Sequence, residues 1–137
     1  MKDKYIQAHM AAAYIYAALS SCDRRQVGCV IVKDNSIISI GYNGTAPGEC
    51  NSCEDEHGET LASVIHAEDN ALQKLSGSTA SAKGASAFIT LFPCNLCAPR
   101  LVNAGISTVY YSEIKPTKNG VEYLKKNGVK VIKVTKK

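Results

Sequence analysis

The sequence VGCVIVKDNSIISIGY at residues 27–42 decides the fold. It contains two apolar runs separated by a polar turn at 34–36. Short runs rich in Val and Ile on either side of a short polar turn are typical of two antiparallel strands. The stretch therefore predicts a β-hairpin.

Helical and extended patterns alternate on both sides of this hairpin. Apolar residues recur every three or four positions over 3–20, which predicts a helix before it. The last three expected strands are separated by helices, so they need parallel crossover connections. The order predicts an α/β fold in a single domain, 1–137, with one mixed five-stranded sheet between two layers of helices. After the hairpin we expect helices at about 60–75, 94–104 and 117–126, and strands at 87–91, 107–111 and 129–134.

Composition supports a globular protein. The 137 residues are 45% hydrophobic and 20% charged, which excludes a disordered tail, a fibre and a collagen. No apolar run approaches the roughly 20 residues that a membrane span needs. The apolar run at 10–19 is interpreted as part of a helix rather than a signal peptide. We expect a cytoplasmic protein, in the host cytoplasm if the source is viral.

The net charge of +4 is concentrated near the end of the chain. Residues 115–137 hold eight Lys and one acidic residue, Glu122, and such a segment could attract polyanions. Tyr123 is the only aromatic residue in it, so a platform for stacking bases is not evident. We therefore expect neither a nucleic acid nor a membrane as partner.

The six cysteines come without a secretion signal, which indicates metal binding or catalysis rather than disulfides. Cys29 lies in an apolar run and is expected to be a buried core thiol. The motif HAE at 66–68 is expected in the second helix, and PCNLC at 93–97 opens the third. One imidazole and two thiolates, from His66, Cys94 and Cys97, suit Zn²⁺ and leave a fourth position open for water, as in catalytic zinc sites.

Glu68 lies two residues after His66 and can reach that water without binding the metal. A carboxylate there can carry the water's proton to a ring nitrogen and then to a leaving amine. The joint pattern H-x-E and P-C-x-x-C is the signature of zinc nucleobase deaminases. The alternatives are a redox dithiol for the Cys-x-x-Cys motif and an ordinary helix histidine for His66.

These motifs, together with VGCVIV at 27–32 and IISIGYNG at 37–44, resemble the deoxycytidylate (dCMP) deaminase family, of the phage and bacterial type, within the cytidine/deoxycytidylate deaminase superfamily. The resemblance runs from about Cys22 to Tyr111. It implies a three-layer α/β/α cytidine-deaminase-like sandwich. It also implies zinc-dependent hydrolysis of dCMP to dUMP and ammonia, which supplies dUMP for thymidylate synthesis.

The resemblance extends to single residues. His66, Cys94 and Cys97 correspond to the ligands of the catalytic zinc, and Glu68 corresponds to the proton donor and acceptor. Asp69 departs from the family pattern, because many relatives carry an apolar residue there. We expect that departure to change the surface of the helix rather than the chemistry.

Substrate contacts are less closely specified. Asn43 resembles the family asparagine beside the substrate, and its amide suits a sugar hydroxyl, although a plain Asn-Gly turn is the alternative. Ala67 is also expected to contact the substrate. Arg24 and Arg25 could each form a bidentate pair with a phosphate. Two further candidates for the phosphate follow the fourth strand, and spacing does not choose among the cations: Lys115 and Lys118.

A second constellation consists of Cys22, Cys50, Cys53 and His57. Three Cys and one His form a closed structural zinc set, and some phage and bacterial dCMP deaminases resemble this. The polar loop at 43–60 is longer than typical connections, so a metal clip would order it. Whether both Cys50 and Cys53 bind stays open, and free thiols with a solvent-exposed histidine are the alternative.

The resemblance also implies regulation. It predicts a homohexamer activated by dCTP and inhibited by dTTP, with Mg²⁺ accompanying the nucleotide effectors, and we expect effector contacts at Gly41, Gly44 and Arg24. Two functions compete with dCMP deamination. One is another zinc deaminase, acting on tRNA adenosine or on a free nucleoside or base; the other is a zinc-binding module without catalysis.

Overall fold

The computed structural model describes residues 1–22, 25–45, 53 and 64–135. Helices and strands follow one another in the predicted order, and no helix in these ranges has the length and apolar character to cross a membrane. The elements are α1 Asp3–Ala17, β1 Gly28–Lys33, β2 Ser36–Tyr42, α2 Ala67–Ser76, β3 Ser86–Leu91, α3 Ala98–Asn103, β4 Thr108–Glu113, α4 Val121–Lys126 and β5 Lys130–Lys133.

The predicted hairpin is formed by β1 and β2. The strands pair antiparallel, with Val30 opposite Ile40. The two turn residues Asp34 and Asn35 have φ values of 51° and 61°. Positive φ at both central positions is the geometry of a type I′ turn, whose twist matches that of the flanking strands, and Asp and Asn tolerate it. The hairpin prediction is confirmed, with a turn one residue shorter than expected.

The five strands form one mixed sheet in the order β2-β1-β3-β4-β5. β1 pairs antiparallel with β3, whereas β3, β4 and β5 are parallel to one another. Helices α3 and α4 make the crossover connections between the parallel strands. The predicted mixed five-stranded sheet is confirmed.

Each face of the sheet is covered by a different set of helices. Val30 and Val32 of β1 pack with Met10 of α1 on one face. Cys29 and Ile31 pack on the other face, in the core that α2, α3 and α4 complete. Because side chains alternate along a strand, one strand serves both cores. The three-layer prediction is confirmed, as is the prediction that Cys29 is a buried thiol.

Two glycines let helices approach the sheet closely. A Cβ on Gly28 would lie 2.0 Å from the carbonyl oxygen of Ala13 in α1, and one on Gly41 would lie 2.3 Å from that of Ala67 in α2. No side chain fits at such distances, because real Cβ atoms do not come this near to backbone atoms. Gly41 is therefore buried under α2, where it has a packing role, and its expected contact with an effector stays a prediction.

The topology brings several chain segments to one edge of the sheet. The carboxyl ends of the parallel strands β3 and β4 lie there, and ligands of α/β sheets gather at such ends. Because β1 is antiparallel to β3, the segment entering β1 at 25–27 reaches the same edge, as does residue 43 after β2. This edge carries the predicted site.

Candidate active site

His66 lies immediately before α2 rather than inside it. Its backbone is extended, with φ −75° and ψ 154°. The preceding residue, Ile65, donates its N–H to the Gly44 carbonyl at 2.8 Å, and Gly44 donates back at 3.1 Å. The His66 carbonyl accepts the N–H of Asn70 at 2.9 Å, so the helix begins at the next residue. The predicted helix start at about residue 60 is corrected, because pairing with the end of β2 keeps residue 65 extended.

Glu68 occupies the first turn of α2 and is only 4% exposed. Burial raises the pKa of its carboxyl group from 4.5 to about 7, since the charged form loses its hydration. The neighbouring Asp69 forms an ion pair with Arg100 of α3. This ion pair links α2 to α3 on the outer surface of the two helices. The predicted site lies at the start of both helices.

Cys94 and Cys97 lie on the turn that leads into α3. The carbonyl of Cys94 accepts the N–H groups of Cys97 and Ala98, both at 3.1 Å, so the motif is wound into the start of the helix. Asn119 pairs with Cys94 as an isolated bridge. Gly120 allows this approach, because a Cβ there would lie 2.5 Å from the Cβ of Ala98.

The two thiols share a hydrogen bond. The Cys97 thiol donates it, which lowers the pKa of Cys94 to about 5. The same bond and burial raise the pKa of Cys97. At neutral pH the pair therefore holds one thiolate and one thiol. Because metal ligands must be deprotonated, uptake of a metal by both sulfurs would release a proton.

The structure brings the three predicted ligands together. The donor atoms of His66, Cys94 and Cys97 all lie within 4.8 Å of one another. One imidazole nitrogen and two sulfurs form a donor set that zinc favours, and three protein ligands leave one tetrahedral position for a small molecule. The residues present fit a catalytic zinc. The alternative of an unrelated helix histidine is excluded, because His66 faces the two cysteines.

A cavity opens above these groups. His66, Glu68 and Cys94 line it, so the carboxyl group and two of the candidate ligands face the same space. Its apolar lining includes Val27, which lies just before β1, and Leu91, which ends β3. Exposed cations stand at its mouth, and we name Arg25, Lys115 and Lys118 the cationic rim. The remaining lining residues are Val27, Asn43, Val64, Ala67, Leu91, Phe92 and Asn119.

The residues expected at the substrate are placed unevenly. Asn43, Ala67 and Arg25 line the cavity, and Ala67 is buried beside Glu68. Arg24 was predicted both as a substrate contact and as an effector contact, and it lies outside the described residues. Of the two effector glycines, Gly44 is half-buried and pairs with Ile65.

Sequence reasoning missed five residues of the cavity lining, namely Val27, Val64, Leu91, Phe92 and Asn119. Phe92 lies between the end of β3 and the PCNLC motif, and this position after a buried strand was a usable signal. Asn119 had no local signal, because its place depends on pairing with Cys94, 25 positions earlier in the chain. Its neighbour Lys118 has a positive φ of 59°, which makes the turn that brings Asn119 to Cys94.

The second constellation is not the predicted zinc site. Cys22 and Cys53 are joined as a disulfide, with Cα atoms 5.3 Å apart, and pack in a small buried cluster with Val64. A sulfur bonded to another sulfur has no thiolate to offer a metal, so this pair of ligands is corrected. The expectation that no cysteine forms a disulfide is wrong for the same reason. Cys50 and His57 lie outside the described residues.

The fold and the donor set define an α/β/α protein with a candidate zinc site and a buried carboxyl group beside the candidate ligands. The family model described as "Cytidine and deoxycytidylate deaminase zinc-binding region" matches residues 3–113. The chain belongs to this family, which confirms the resemblance found in the sequence and, with it, the cytidine-deaminase-like form of the sandwich.

Individual relatives agree with the family model. ComE operon protein 2 of Bacillus subtilis is 39% identical over 111 residues, covering 78% of this chain and 58% of that protein. The deoxycytidylate deaminase of Saccharomyces cerevisiae is 33% identical over 141 residues, covering 96% of this chain and 45% of that protein. The chain thus spans about half the length of these two relatives.

A solved structure is similar over the full length of both chains. The crystal structure of dCMP deaminase from the cyanophage S-TIM5, in complex with dCMP and dUMP, superposes with a TM-score of 0.91. It is 39% identical and covers 97% of this chain and 98% of that one.

Proposed function

We propose that this protein catalyses the hydrolytic deamination of dCMP to dUMP and ammonia. The observation that carries the proposal is the meeting of three candidate metal ligands, two of which line a cavity with a cationic rim that a buried carboxyl group, Glu68, also lines. The cyanophage relative, crystallised with dCMP and dUMP, supports the choice of substrate. The alternative function of a redox dithiol is disfavoured, because Cys94 and Cys97 are not joined as a disulfide and face a histidine.

His66, Cys94 and Cys97 would hold the zinc ion. A zinc ion bound there lowers the pKa of a water molecule to about 7, which makes a strong nucleophile available at neutral pH. The protein's own part is to keep the three donors close. The low pKa of Cys94 supplies one thiolate, and Cys97 would give up its proton on binding the metal.

Glu68 moves the protons of the reaction. The attacking water adds its oxygen to C4 of the cytosine ring, and Glu68 takes the proton and passes it to N3. Glu68 then takes the remaining hydroxyl proton and delivers it to the amino group, which leaves as ammonia as the C4 carbonyl forms. A pKa of about 7 suits both roles, because protonated and ionised forms are then equally available near pH 7.

The other lining residues bind the nucleotide. Val27, Leu91 and Phe92 offer apolar surface to the pyrimidine ring and exclude water around Glu68. The cationic rim offers charge-assisted hydrogen bonds to the 5′-phosphate, and Arg25 can form two such bonds at once. Ala67, which is buried beside Glu68, also lines the cavity.

The test is substrate selectivity. The purified protein is incubated with dCMP, CMP, deoxycytidine and tRNA, and ammonia release is followed. We expect the highest kcat/KM with dCMP, because the rim recognises a phosphate that deoxycytidine lacks. Preference for tRNA or for the free nucleoside would replace dCMP by one of the competing deaminase substrates.

Regulation and assembly rest on the family resemblance. We infer a cytoplasmic homohexamer that dCTP, with Mg²⁺, activates and dTTP inhibits, with Gly44 near the effector site. Light scattering after size-exclusion chromatography gives the subunit number. Identical rates with and without each triphosphate would exclude the regulation, and a mass other than six subunits would exclude the hexamer.

A further inference from the structure

The side chain of Asn43 is engaged with the backbone of a neighbouring segment. Its Oδ1 accepts the N–H of Val27 at 2.9 Å, and its Nδ2 donates to the carbonyl of Arg25 at 2.7 Å. The Asn43 N–H also donates to the Val27 carbonyl at 3.1 Å. Three hydrogen bonds therefore fix residues 25–27 to the end of β2.

The segment fixed in this way carries one cation of the rim. Arg25 is exposed and lines the cavity. Among the described residues no carboxylate forms an ion pair with its guanidinium group. With its carbonyl held by Asn43, the backbone of Arg25 has one position relative to the cavity.

A second asparagine repeats the arrangement on the opposite side. Asn119 also lines the cavity, and its Nδ2 donates to the carbonyl of Lys115 at 2.9 Å. Its Oδ1 accepts the N–H of Val121 at 3.2 Å. In both cases the side-chain amide donates to the backbone carbonyl of a rim cation and accepts from a nearby backbone N–H. The rim is thus held from two sides.

We propose that Asn43 is a positioning residue that sets the preference for a nucleotide over a nucleoside by holding Arg25 at the 5′-phosphate. The proposal rests on the proposed function, since it names how that same site selects its substrate. An amide suits the task because it has both a donor and an acceptor, and residues 25 and 27 present one carbonyl and one N–H to it.

The competing role for Asn43 is a direct hydrogen bond to the sugar. The two roles depend on different atoms of the substrate: the 5′-phosphate in one case and the 3′-hydroxyl in the other. Substrates lacking one of these groups separate them. Deoxycytidine lacks the phosphate, and 2′,3′-dideoxycytidine 5′-monophosphate lacks the hydroxyl.

The experiment measures kcat/KM for these two compounds and for dCMP with Asn43→Ala, Arg25→Ala and the double variant. Loss of a charged hydrogen-bond donor lowers kcat/KM for dCMP by about 10- to 100-fold in Arg25→Ala. We expect Asn43→Ala to lower the ratio of kcat/KM for dCMP over deoxycytidine by about tenfold, because two hydrogen bonds that orient Arg25 are lost. In the double variant, Asn43→Ala should not lower that ratio below the value for Arg25→Ala alone, because the effects of substituting two residues that act as one unit are not additive.

A sugar contact gives a different pattern. Equal losses for dCMP and deoxycytidine in Asn43→Ala, with no loss for the dideoxy nucleotide, would overturn the proposal. Asn119→Ala is the matched control: it should lower the same ratio, through Lys115, and should add to Arg25→Ala. If Asn43→Ala does not fold, Asn43→Ser replaces it, because its shorter side chain cannot span both backbone groups.

Binding without turnover separates this inference from the proposed function. Calorimetric titration gives dissociation constants for dUMP and deoxyuridine with the same variants. If the wild-type protein binds dUMP but releases no ammonia from dCMP, the proposed function fails, and a smaller dUMP preference in Asn43→Ala still supports the positioning role. An unchanged preference in that variant overturns the role whatever the turnover.

Discussion

The motifs CNSC at 50–53 and CNLC at 94–97 differ by one residue, yet their described cysteines have different partners. Cys94 and Cys97 remain free thiols, wind into the start of α3 and face His66. Cys53 is bonded to Cys22, 31 positions earlier in the chain. Spacing between two cysteines therefore does not decide their chemistry.

The surroundings explain the difference. The CNLC motif stands between the carboxyl end of β3 and a helix, at the sheet edge where ligands gather, and a histidine from another segment lies opposite. The second motif belongs to the polar connection between β2 and α2, and its described cysteine, Cys53, packs with Cys22 and Val64. Cys94 and Cys97 can bind a ligand beside the cavity, whereas the Cys22–Cys53 disulfide joins two segments of the chain.

Removing one ligand gives the largest expected difference between the motifs. Cys97→Ala should lose the metal and all measurable deamination, because two donors hold zinc far more weakly than three. Cys53→Ala is the matched control and should keep one metal ion per chain with the activity of the first site. Metal analysis by mass spectrometry after gel filtration checks both. Full metal content in Cys97→Ala would show that CNLC does not bind it.

Removing the proton carrier tests whether the first motif is catalytic. Glu68→Gln keeps the size of the side chain and loses its acid–base function. We expect kcat to fall by about 10²- to 10⁴-fold with metal content unchanged. Steady-state kinetics and metal analysis on the same sample give the answer, and undiminished turnover would leave a zinc-binding module without catalysis.

Removing the disulfide should affect stability instead. Cys22→Ala opens a crosslink between residues 31 positions apart, which by loop-closure entropy costs about 3–4 kcal/mol of the free energy of unfolding. Urea unfolding under oxidising conditions measures the loss, and with a reductant the wild type and the variant should unfold alike. A second zinc equivalent in the wild type, absent from the variant, would instead make Cys22 a metal ligand.

The smallest expected effect concerns the ion pair between α2 and α3, the helices that follow His66 and Cys97. Asp69→Asn breaks the ion pair with Arg100, whose side chain is 53% exposed, so we expect a loss of less than about 1 kcal/mol. Thermal unfolding at low and high salt measures it, with Arg100→Gln as the partner variant. A loss that is large and independent of salt would mean that the pair holds α2 and α3 together.

Local patterns predicted the hairpin, the mixed sheet and the metal ligands. These depend on short-range signals: alternating apolar runs, a polar turn, and ligand spacing in two motifs. The start of α2 was wrong because Ile65 is extended by pairing with Gly44, and no nearby residue announces that contact. The zinc-ligand role predicted for Cys22 and Cys53 was wrong because they form a disulfide, and sequence does not give disulfide connectivity.

The role of Asn43 shows the same limit inside the site. The motif indicated a polar side chain beside the substrate, and the structure places it in the cavity lining. Its hydrogen bonds go to the Arg25 segment, which joins the sheet edge only through the antiparallel pairing of β1 with β2 and β3. Such partners depend on how strands assemble, and a single motif does not contain that information.

The reciprocal backbone bonds between Gly44 and Ile65 have a practical consequence for protein engineering. They close a ring of chain whose two ends meet just before the first metal ligand. Changes in the length of that ring therefore need not shift His66, and each doubling of its length costs only about 0.6 kcal/mol in closure entropy. Insertions between the two ends, with Cys53 retained, should therefore leave the candidate metal site and the proposed deamination intact.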